Sequence, residues 1–459
     1  MSRKRFKSYQ EKDYDLISDI EGLLPSWLSG DFISTGPGLF SLGGVRLNHW
    51  FDGAALLKGF HFEGGSISAD ARYVRTKQFT QNQKNDRLYF NEFGTTVGGV
   101  AGFIRGILNR SSYDNVNVNV FEIENDNVIS VTETMNHWVV DKSTLETLQR
   151  KKYEDKLNFH MCTPHPIRDY KNNVLMNVGM QFGKETKYHV FEHCLKTGKR
   201  KVLFTYQAKS AFYMHSFFLT EKFIILPKTS VEIDVMNVLN PMKAMVESYF
   251  DNPNAECGFI VIDRQSKKEK FYPVDSFYLY HICNAYESGD DIVLDFIESC
   301  SGSYEQFTLE ALESSIPEKS SMTRIVLNLT KGVSKKERIL EGGLEFPRIN
   351  EKRDNGKKYQ YAFMANKGES APWFNELVKL NVENGDAARW CRDNVVTGEP
   401  VLVENPNSHN QQALLAMIND ESSWRSGLCI LDPTNMQELA VVWLKAYFAP
   451  GLHGNFFAK

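Results

Sequence analysis

The sequence predicts an all-β chain, a seven-bladed β-propeller with a cap of helices and loops over its central axis. Short apolar strands alternate with polar turns along most of the 459 residues, and seven hairpins of this kind can be counted. From Asp141 onwards their turns recur near residues 141, 192, 263, 328, 381 and 432. Hairpins at intervals of roughly 50–70 residues are typical of propeller blades that carry loop insertions. An irregular all-β sandwich is the structural alternative.

Length and charge bear on the number of domains and on the class of partner. A chain of 459 residues ordinarily contains two or three domains. A closed repeat fold can reach that length as one domain, because each repeat adds its own part of the core. We therefore expect a single domain over residues 1–459. The net charge of −4, with no basic stripe interleaved with aromatic residues, argues against a nucleic-acid partner.

The N-terminus and the cysteines predict a cellular location. The N-terminal MSRKRFKSYQEKDYD is charged from its second residue onwards and lacks the apolar centre of a signal peptide. No uninterrupted apolar run approaches the roughly 18–20 residues that span a bilayer. Seven cysteines without a C-x-x-C pattern indicate reduced thiols. We expect a cytoplasmic protein that is not secreted and that contacts membranes at most peripherally.

Two segments depart from the β pattern. Residues 97–108 place apolar side chains at helical spacing, and residues 235–250 (VMNVLNPMKAMVESYF) are apolar and rich in methionine. They are expected to form two cap helices packed on the propeller, or an apolar lip that dips into a membrane to collect a lipophilic substrate.

Histidines recur in register with the repeat. Four of the eleven follow the preceding polar turn by a similar distance, 24 residues for His165, 23 for His215, 18 for His281 and 21 for His453. Two further repeats carry a glutamate at 17 and 18 residues, Glu345 and Glu399. Because the innermost strand of every blade faces the axis, equivalent positions in successive blades converge on one point.

Such a convergence predicts a metal site. Four imidazoles and two carboxylates on an apolar axis are costly unless they are paired or bind a metal. Neutral imidazoles suit Fe, Zn, Cu or Ni, and carboxylates can accept the second ring N–H of each ligand. Glu133, which ends a strand in SVTETMN, is a third such acceptor in a looser register. The chain lacks G-x-S-x-G, P-loop and H-E-x-x-H motifs, although the spacing alone leaves a zinc hydrolase open.

Motifs along nearly the whole chain resemble those of the carotenoid cleavage oxygenases. They include LPSWLSGDFISTGPGLF at 24–40, NHWFDGAALLKGFHF at 48–62, ARYVRT at 71–76 and NEFGT at 91–95. Each histidine has a matching context: His165 in TPHP, His215 in MHSFFLT, His281 in YHICNAYE and His453 in GLHGNFF. The glutamates match in TET, LEFPRIN and GEPVLVE.

The resemblance implies a seven-bladed propeller with one Fe(II) per chain. It implies that the four histidines bind the iron directly and that three of them are hydrogen-bonded to Glu133, Glu345 and Glu399, with the pairing left open. No other side chain is expected to be catalytic. A tunnel would lead a polyene and O2 to the metal, and we expect its wall to include Phe103, Tyr213, Tyr280 and Trp373.

Two departures from the family pattern refine this interpretation. The P-D-P-C-K segment of animal members is replaced by TTVGGVAGFIRGILNR, which argues against a palmitoylated anchor. Thr132 stands where stilbene-cleaving members carry a lysine, which argues against phenolic stilbene substrates.

The expected function is an Fe(II)-dependent dioxygenase that cleaves a conjugated C=C bond of a carotenoid or apocarotenoid to carbonyl products such as retinal. One alternative is a non-oxidative retinoid isomerase or hydrolase of the same family, with the metal as Lewis acid. The other is a catalytically silent carotenoid-binding propeller.

Overall fold

A computed structural model describes residues 5–98, 104, 113–123, 127–314 and 319–459 of the chain. Seven antiparallel sheets form the blades of a propeller, which confirms the predicted fold class. Two small two-stranded sheets lie outside the blades, Ser41–Leu42 with Val45–Arg46 and Val231–Ile233 with Tyr249–Asp251. The expectation of a single domain over the full length stays a prediction.

We number the blades 1 to 7 along the chain and give their strands from the axis outwards. Blade 1 contains Gly454–Ala458, Gly30–Pro37, Ala55–Glu63 and Ser66–Tyr73; blade 2 contains Asn119–Glu122, Val128–Val131, Trp138–Val140 and Thr147–Arg150; and blade 3 contains Met161–Cys162 with Ile167–Asp169, then Val174–Gln181, Thr186–Cys194 and Arg200–Ala208. Blade 4 contains Phe218–Leu219, Phe223–Lys228, Gly258–Asp263 and Glu269–Pro273, and blade 5 contains Tyr278–Ser288, Asp291–Ser299, Ser320–Asn328 and Gly332–Gly342. Blade 6 contains Leu344–Arg348, Tyr361–Asn366, Glu376–Asn381 and Ala387–Cys391, and blade 7 contains Val395–Asn405, Ser408–Asp420, Arg425–Leu431, Glu438–Leu444 and Ile17–Gly22.

The two ends of the chain close the ring. The C-terminal strand Gly454–Ala458 pairs with Gly30–Pro37 as the innermost strand of blade 1. Near the other end, Ile17–Gly22 adds an outer strand to blade 7 by pairing with Glu438–Leu444. Each terminal region is therefore held by backbone hydrogen bonds to a blade built from the opposite end of the sequence.

The six polar turns that indicated the repeat occupy equivalent places, because each joins the third and fourth strands of one blade. In several of them an Asp or Asn side chain accepts backbone N–H bonds from the turn, as Asp263 does from Gln265 and Ser266. The residue four positions later is left-handed, at φ 59° in Lys267 and at φ 81° in Gly385. The repeated turn chemistry thus has a local cause.

Apolar side chains from the faces of adjacent blades pack together to form the core. One cluster joins Cys283 and Val293 of blade 5 to Leu344, Met364 and Val378 of blade 6, all buried. Equivalent clusters join blades 6 and 7 and blades 7 and 1. This packing holds the innermost strands around a common axis, and the site residues are placed by it.

The cap differs in part from its prediction. Residues 235–250 do not form one helix: they contain a short α-helix, Val235–Val238, a 3-10 helix, Met245–Ser248, and the start of a strand. The Asn240–Pro241 pair interrupts the helical pattern, because a residue before proline disfavours helical geometry. Most of segment 97–108 lies outside the described residues.

The remaining helices among the described residues are short. The α-helices are Lys77–Asn85, Leu309–Ser314 and Glu351–Asp354, and the 3-10 helices are Trp50–Asp52 and Tyr304–Phe307. Within the described ranges, none of the helices has both the length and the apolar character needed to cross a bilayer.

Candidate metal centre

The six in-register site residues lie where the innermost strands are interrupted, shifted in register or about to begin. His165 occupies the gap between Met161–Cys162 and Ile167–Asp169 in blade 3. In blade 5 the pairing with the next strand shifts around His281, between Leu279 and Ile282. Bulges of this kind turn a side chain out of the sheet and are frequent beside active sites.

The other members follow the same rule. The register shifts after Glu345 in blade 6, and in blade 7 it shifts across Glu399, between Thr397 and Pro400. His453 comes directly before the innermost strand of blade 1, and His215 lies shortly before that of blade 4, which begins at Phe218. Glu133 differs, because it follows the second strand of blade 2 instead of lying on its first, which accounts for its looser register in the sequence.

The four histidines converge as predicted. One ring nitrogen from each lies within 4.8 Å of the others. The Nε2 atoms of His165 and His215 are 3.0 Å apart, and those of His281 and His453 are 3.1 Å apart. Four blades therefore deliver imidazole nitrogens to one point on the axis.

The structure assigns one carboxylate to each of three histidines. The Nδ1 atom of His215 lies 2.7 Å from Glu133, that of His281 lies 2.5 Å from Glu345, and that of His453 lies 3.0 Å from Glu399. Among the described residues, His165 has no carboxylate partner.

This arrangement fits a cation. A carboxylate only accepts hydrogen bonds, so each paired histidine carries its proton on Nδ1 and presents the lone pair of Nε2 to the centre. Two such lone pairs about 3 Å apart, as in His281 and His453, repel each other unless a positive charge lies between them. A metal ion held by the four Nε2 atoms removes that repulsion, and neutral imidazole is a ligand that iron accepts.

The electrostatics of the site also keep His165 and His453 neutral. Burial lowers the pKa of His165 well below its usual value, and the three neighbouring imidazoles lower it further. Burial likewise lowers the pKa of His453 to about 4, although Glu399 opposes the shift. Uncharged rings at neutral pH are the form that binds a metal.

Glu399 is held as an anion by an arginine that the sequence analysis did not single out. Arg348 lies 3.2 Å from Glu399 and also donates to the backbone oxygen of Gly454. Burial would raise the pKa of Glu399, but Arg348 and His453 outweigh it and lower the pKa to about 2. The sequence did contain a signal for this arginine, because it is a charged residue three positions after Glu345 in the motif LEFPRIN.

Glu133 is surrounded by phenols instead. The Tyr213 hydroxyl donates to Glu133, and the Tyr304 hydroxyl donates to Tyr213. A third phenol, Tyr249, lies 3.4 Å from the other carboxylate oxygen. Burial, together with the charge of Glu133, raises the pKa of Tyr213 well above its usual value, so the phenol remains a donor.

A cavity of about 380 Å³ opens beside the cluster. Its wall contains three of the candidate ligands, His215, His281 and His453, and is otherwise largely apolar. The aromatic residues along it include Trp50, Phe51, Phe93, Tyr249, Tyr304, Phe307 and Phe346. A cavity of this size and character suits an apolar ligand that passes the metal centre.

Of the four residues expected in the tunnel wall, two line the cavity, one does not, and one lies outside the described residues. Tyr280 and Trp373 line the cavity. Tyr213 does not: its ring lies behind Glu133, and its hydroxyl is 2.8 Å from Nδ1 of His215, so the expectation for it is corrected. Phe103 lies outside the described residues. Thr132 is buried on the cavity wall next to Glu133.

Four imidazoles backed by three carboxylates on the axis of a propeller define a class of propeller protein with a candidate metal centre. The family profile described as retinal pigment epithelial membrane protein matches residues 6–458. The chain belongs to this family, the carotenoid oxygenases.

Similar proteins extend the comparison. The beta,beta-carotene 15,15'-dioxygenase of Gallus gallus is 27% identical, with 99% of this chain and 97% of that protein covered. The carotenoid isomerooxygenase of Galleria mellonella is 24% identical, covering 98% and 95%. A variant of Synechocystis apocarotenoid oxygenase superposes with a TM-score of 0.88 at 22% identity, over 100% of this chain and 99% of that one. A cobalt-substituted form has a TM-score of 0.87 at 21% identity, over 100% and 99%.

Proposed function

We propose that the chain is an Fe(II)-dependent dioxygenase that cleaves a conjugated C=C bond of a carotenoid or apocarotenoid to aldehyde products such as retinal. The observation that carries the proposal is the set of four converging imidazoles, His165, His215, His281 and His453, beside an aromatic cavity. Relatives named as beta-carotene dioxygenases support the substrate class.

The role of the protein in this reaction is to position and to shield. When bound, Fe(II) would supply the one-electron chemistry with O2 that side chains lack. The four Nε2 atoms would hold the ion, and Glu133, Glu345 and Glu399 fix the ring orientations through Nδ1. The aromatic wall excludes water and holds the polyene so that one double bond lies beside the metal centre. No side chain needs to act as nucleophile or general base.

The cavity wall includes a group of apolar residues that supports a peripheral membrane contact. Val238, Leu239 and Met245 from segment 235–250 line the cavity. In the same segment Met236 is 74% exposed and Met242 is 68% exposed. We propose that these side chains enter the lipid interface and deliver a lipophilic substrate. Co-sedimentation with neutral phosphatidylcholine vesicles should fall when both methionines are changed to serine, with iron content unchanged. Equal sedimentation of the variant contradicts the contact.

We retain the expectation of a cytoplasmic protein as part of the proposal. All seven cysteines are free thiols, and Cys162, Cys257, Cys283 and Cys429 are buried. Unpaired thiols suit a reducing compartment. Fractionation of cells that express the full chain would test this location.

The deciding experiment incubates the iron-loaded protein with β-carotene and a set of apocarotenals, with and without O2, and identifies the products by mass. Aldehydes formed only with O2 support cleavage. Isomerised alcohol formed without O2 would instead make the chain a non-oxidative isomerase. Stoichiometric carotenoid binding without turnover would make it a silent carotenoid-binding protein. Phenolic stilbenes should remain uncleaved, because Thr132 offers no ammonium group for a phenolate.

A further inference from the structure

A small cavity lies behind the wall of the large one. Its volume is about 20 Å³, and Trp373 lines both. Lys58, on the strand Ala55–Glu63 of blade 1, also lines it and is only 2% exposed. A lysine this deeply buried ordinarily has an ion-pair partner.

The amine of Lys58 has no such partner. Its Nζ lies at the cavity wall, 2.8 Å from where a Cβ on Gly451 would stand. In the part of the chain that the structure describes, Lys58 makes neither a hydrogen bond nor an ion pair. Burial lowers the pKa of Lys58 to about 7. A buried ammonium is costly without a counter-charge, so either the amine is neutral or an anion accompanies it.

The two other polar side chains of the wall, Asn419 and Thr397, can both act as donors. The Oδ1 of Asn419 accepts a hydrogen bond from Ser426, which leaves the Asn419 amide N–H groups without a partner among the described residues. The hydroxyl of Thr397 makes only a long contact of 3.4 Å to a backbone oxygen. None of the described lining residues is an Asp or Glu. Donors around a buried amine, with no carboxylate, suit an anion and not a cation.

We propose that the cavity bounded by Lys58, Thr397 and Asn419 binds one small monovalent inorganic anion of the size of chloride. A single water needs roughly 10–15 Å³ of such space, so the volume admits a monoatomic anion and excludes phosphate or an organic acid. The anion keeps Lys58 protonated inside the core.

The site supports the segment that carries a candidate ligand. Its wall includes Pro450 and Gly451, shortly before His453. The backbone N–H of the next residue, Leu452, donates to the backbone oxygen of Thr35 at 2.9 Å. The backbone N–H of Thr35 in turn donates to the backbone oxygen of His453 at 2.8 Å. The anion therefore stabilises the junction at which the C-terminal strand joins blade 1. This inference does not depend on the proposed reaction.

Thermal unfolding of the full chain in sodium chloride, sodium bromide and sodium gluconate at equal ionic strength tests the proposal. Both halides should raise Tm saturably, by about 2 °C or more, and gluconate should not. Lys58→Met should abolish the halide effect, whereas Lys196→Met, at an exposed position, should retain it. A halide effect that persists in Lys58→Met would overturn the proposal.

Two further measurements keep the test decisive if Lys58→Met does not fold. Crystals of the unaltered protein in bromide should show an anomalous peak beside the Nζ of Lys58, and Asn419→Leu should weaken the halide effect. Absence of both the bromide peak and any halide-specific stabilisation would establish a neutral lysine beside water, and the anion site would be rejected.

Discussion

The hydroxyl of Tyr213 donates a hydrogen bond to Glu133, the carboxylate that is 2.7 Å from Nδ1 of His215. The phenol therefore supports a candidate metal ligand through an intervening carboxylate. Tyr304 extends the chain of hydrogen bonds from Tyr213 to the wall of the large cavity. Tyr213 is thus a positioning residue and not part of the tunnel.

Removing this hydroxyl should loosen the metal site without breaking it. Tyr213→Phe keeps the ring but deprives Glu133 of one donor, so we expect metal affinity to fall by about 10-fold, the lower end of the range for outer partners of metal ligands. Competition between the protein and a chelator for Fe(II) or Co(II) measures the change. Tyr272→Phe is the matched control, because that buried tyrosine of blade 4 donates to the backbone oxygen of Leu329, in a turn of blade 5. Equal affinities in the two variants would refute the positioning role.

The ligand assignment predicts a graded series of effects on metal content. His165→Ala, His215→Ala, His281→Ala and His453→Ala should each abolish iron retention and activity. Glu345→Gln and Glu399→Gln should weaken metal binding by roughly 10–100-fold, because each disturbs a ring through Nδ1.

A surface pair provides the control for this series. Glu404 accepts from Nδ1 of His409 at 2.6 Å, a similar contact in which the histidine is largely exposed. His409→Ala and Glu404→Gln should leave the iron content, measured by elemental analysis, unchanged. Full iron occupancy after loss of His215 or His281 would contradict the assignment.

The sequence predicted the convergence of the four histidines because the polar turns repeat from blade to blade. Residues at one place in successive blades must converge once the ring closes, so a similar spacing after each turn was enough to select His165 and Glu345. Spacing places residues around an axis but does not give side-chain direction. The pairing of each glutamate with its histidine depends on bulges, such as the one beside His281, that only the structure reveals.

Two local features of the sequence would have improved the predictions. Tyr213 is two residues before His215, and alternate residues of an extended chain share a face, so its contact with the same carboxylate could have been anticipated. The Asn240–Pro241 pair within segment 235–250 is a helix-breaking signal that outweighs the apolar spacing around it. In contrast, no repeat position marked Arg348, because its partners Glu399 and Gly454 come from other blades.

The cavity wall should determine which bond of a polyene lies at the metal centre. Trp373 packs edge-to-face against Trp50, with ring centroids 5.2 Å apart, and lines the cavity. Trp373→Leu enlarges the space beside the polyene and should broaden the product distribution, while iron content stays the same because no ligand is disturbed. Mass analysis of the aldehydes measures this, with Tyr280→Phe as the conservative variant that keeps the wall shape. An unaltered product pattern in Trp373→Leu would place the polyene elsewhere.

Stability should depend on pH through His61 of blade 1, which lies far along the sequence from the candidate ligands. Its Nδ1 is 2.7 Å from Asp31 and its Nε2 is 3.2 Å from Asp70. Burial alone would lower the pKa of His61, but these two contacts outweigh it and raise the pKa to about 9. Because the folded pKa is raised, the stabilisation is fully present below about pH 6.5 and is lost as the pH rises through about 9.

The shift in the pKa of His61 sets the size of the expected effect on stability. A pKa raised from 6.5 to about 9 corresponds to at most about 3 kcal/mol in the free energy of unfolding, and to less where solvent screens the ring. The free energies of unfolding of the unaltered protein and of His61→Asn, measured with urea, should therefore differ most at pH 6 and converge towards pH 10. Taking the difference between the two proteins cancels other titrating groups, Lys58 among them, because both proteins share them. Two stability profiles that run parallel from pH 6 to pH 10 would show that the imidazole is not charged by its two carboxylates.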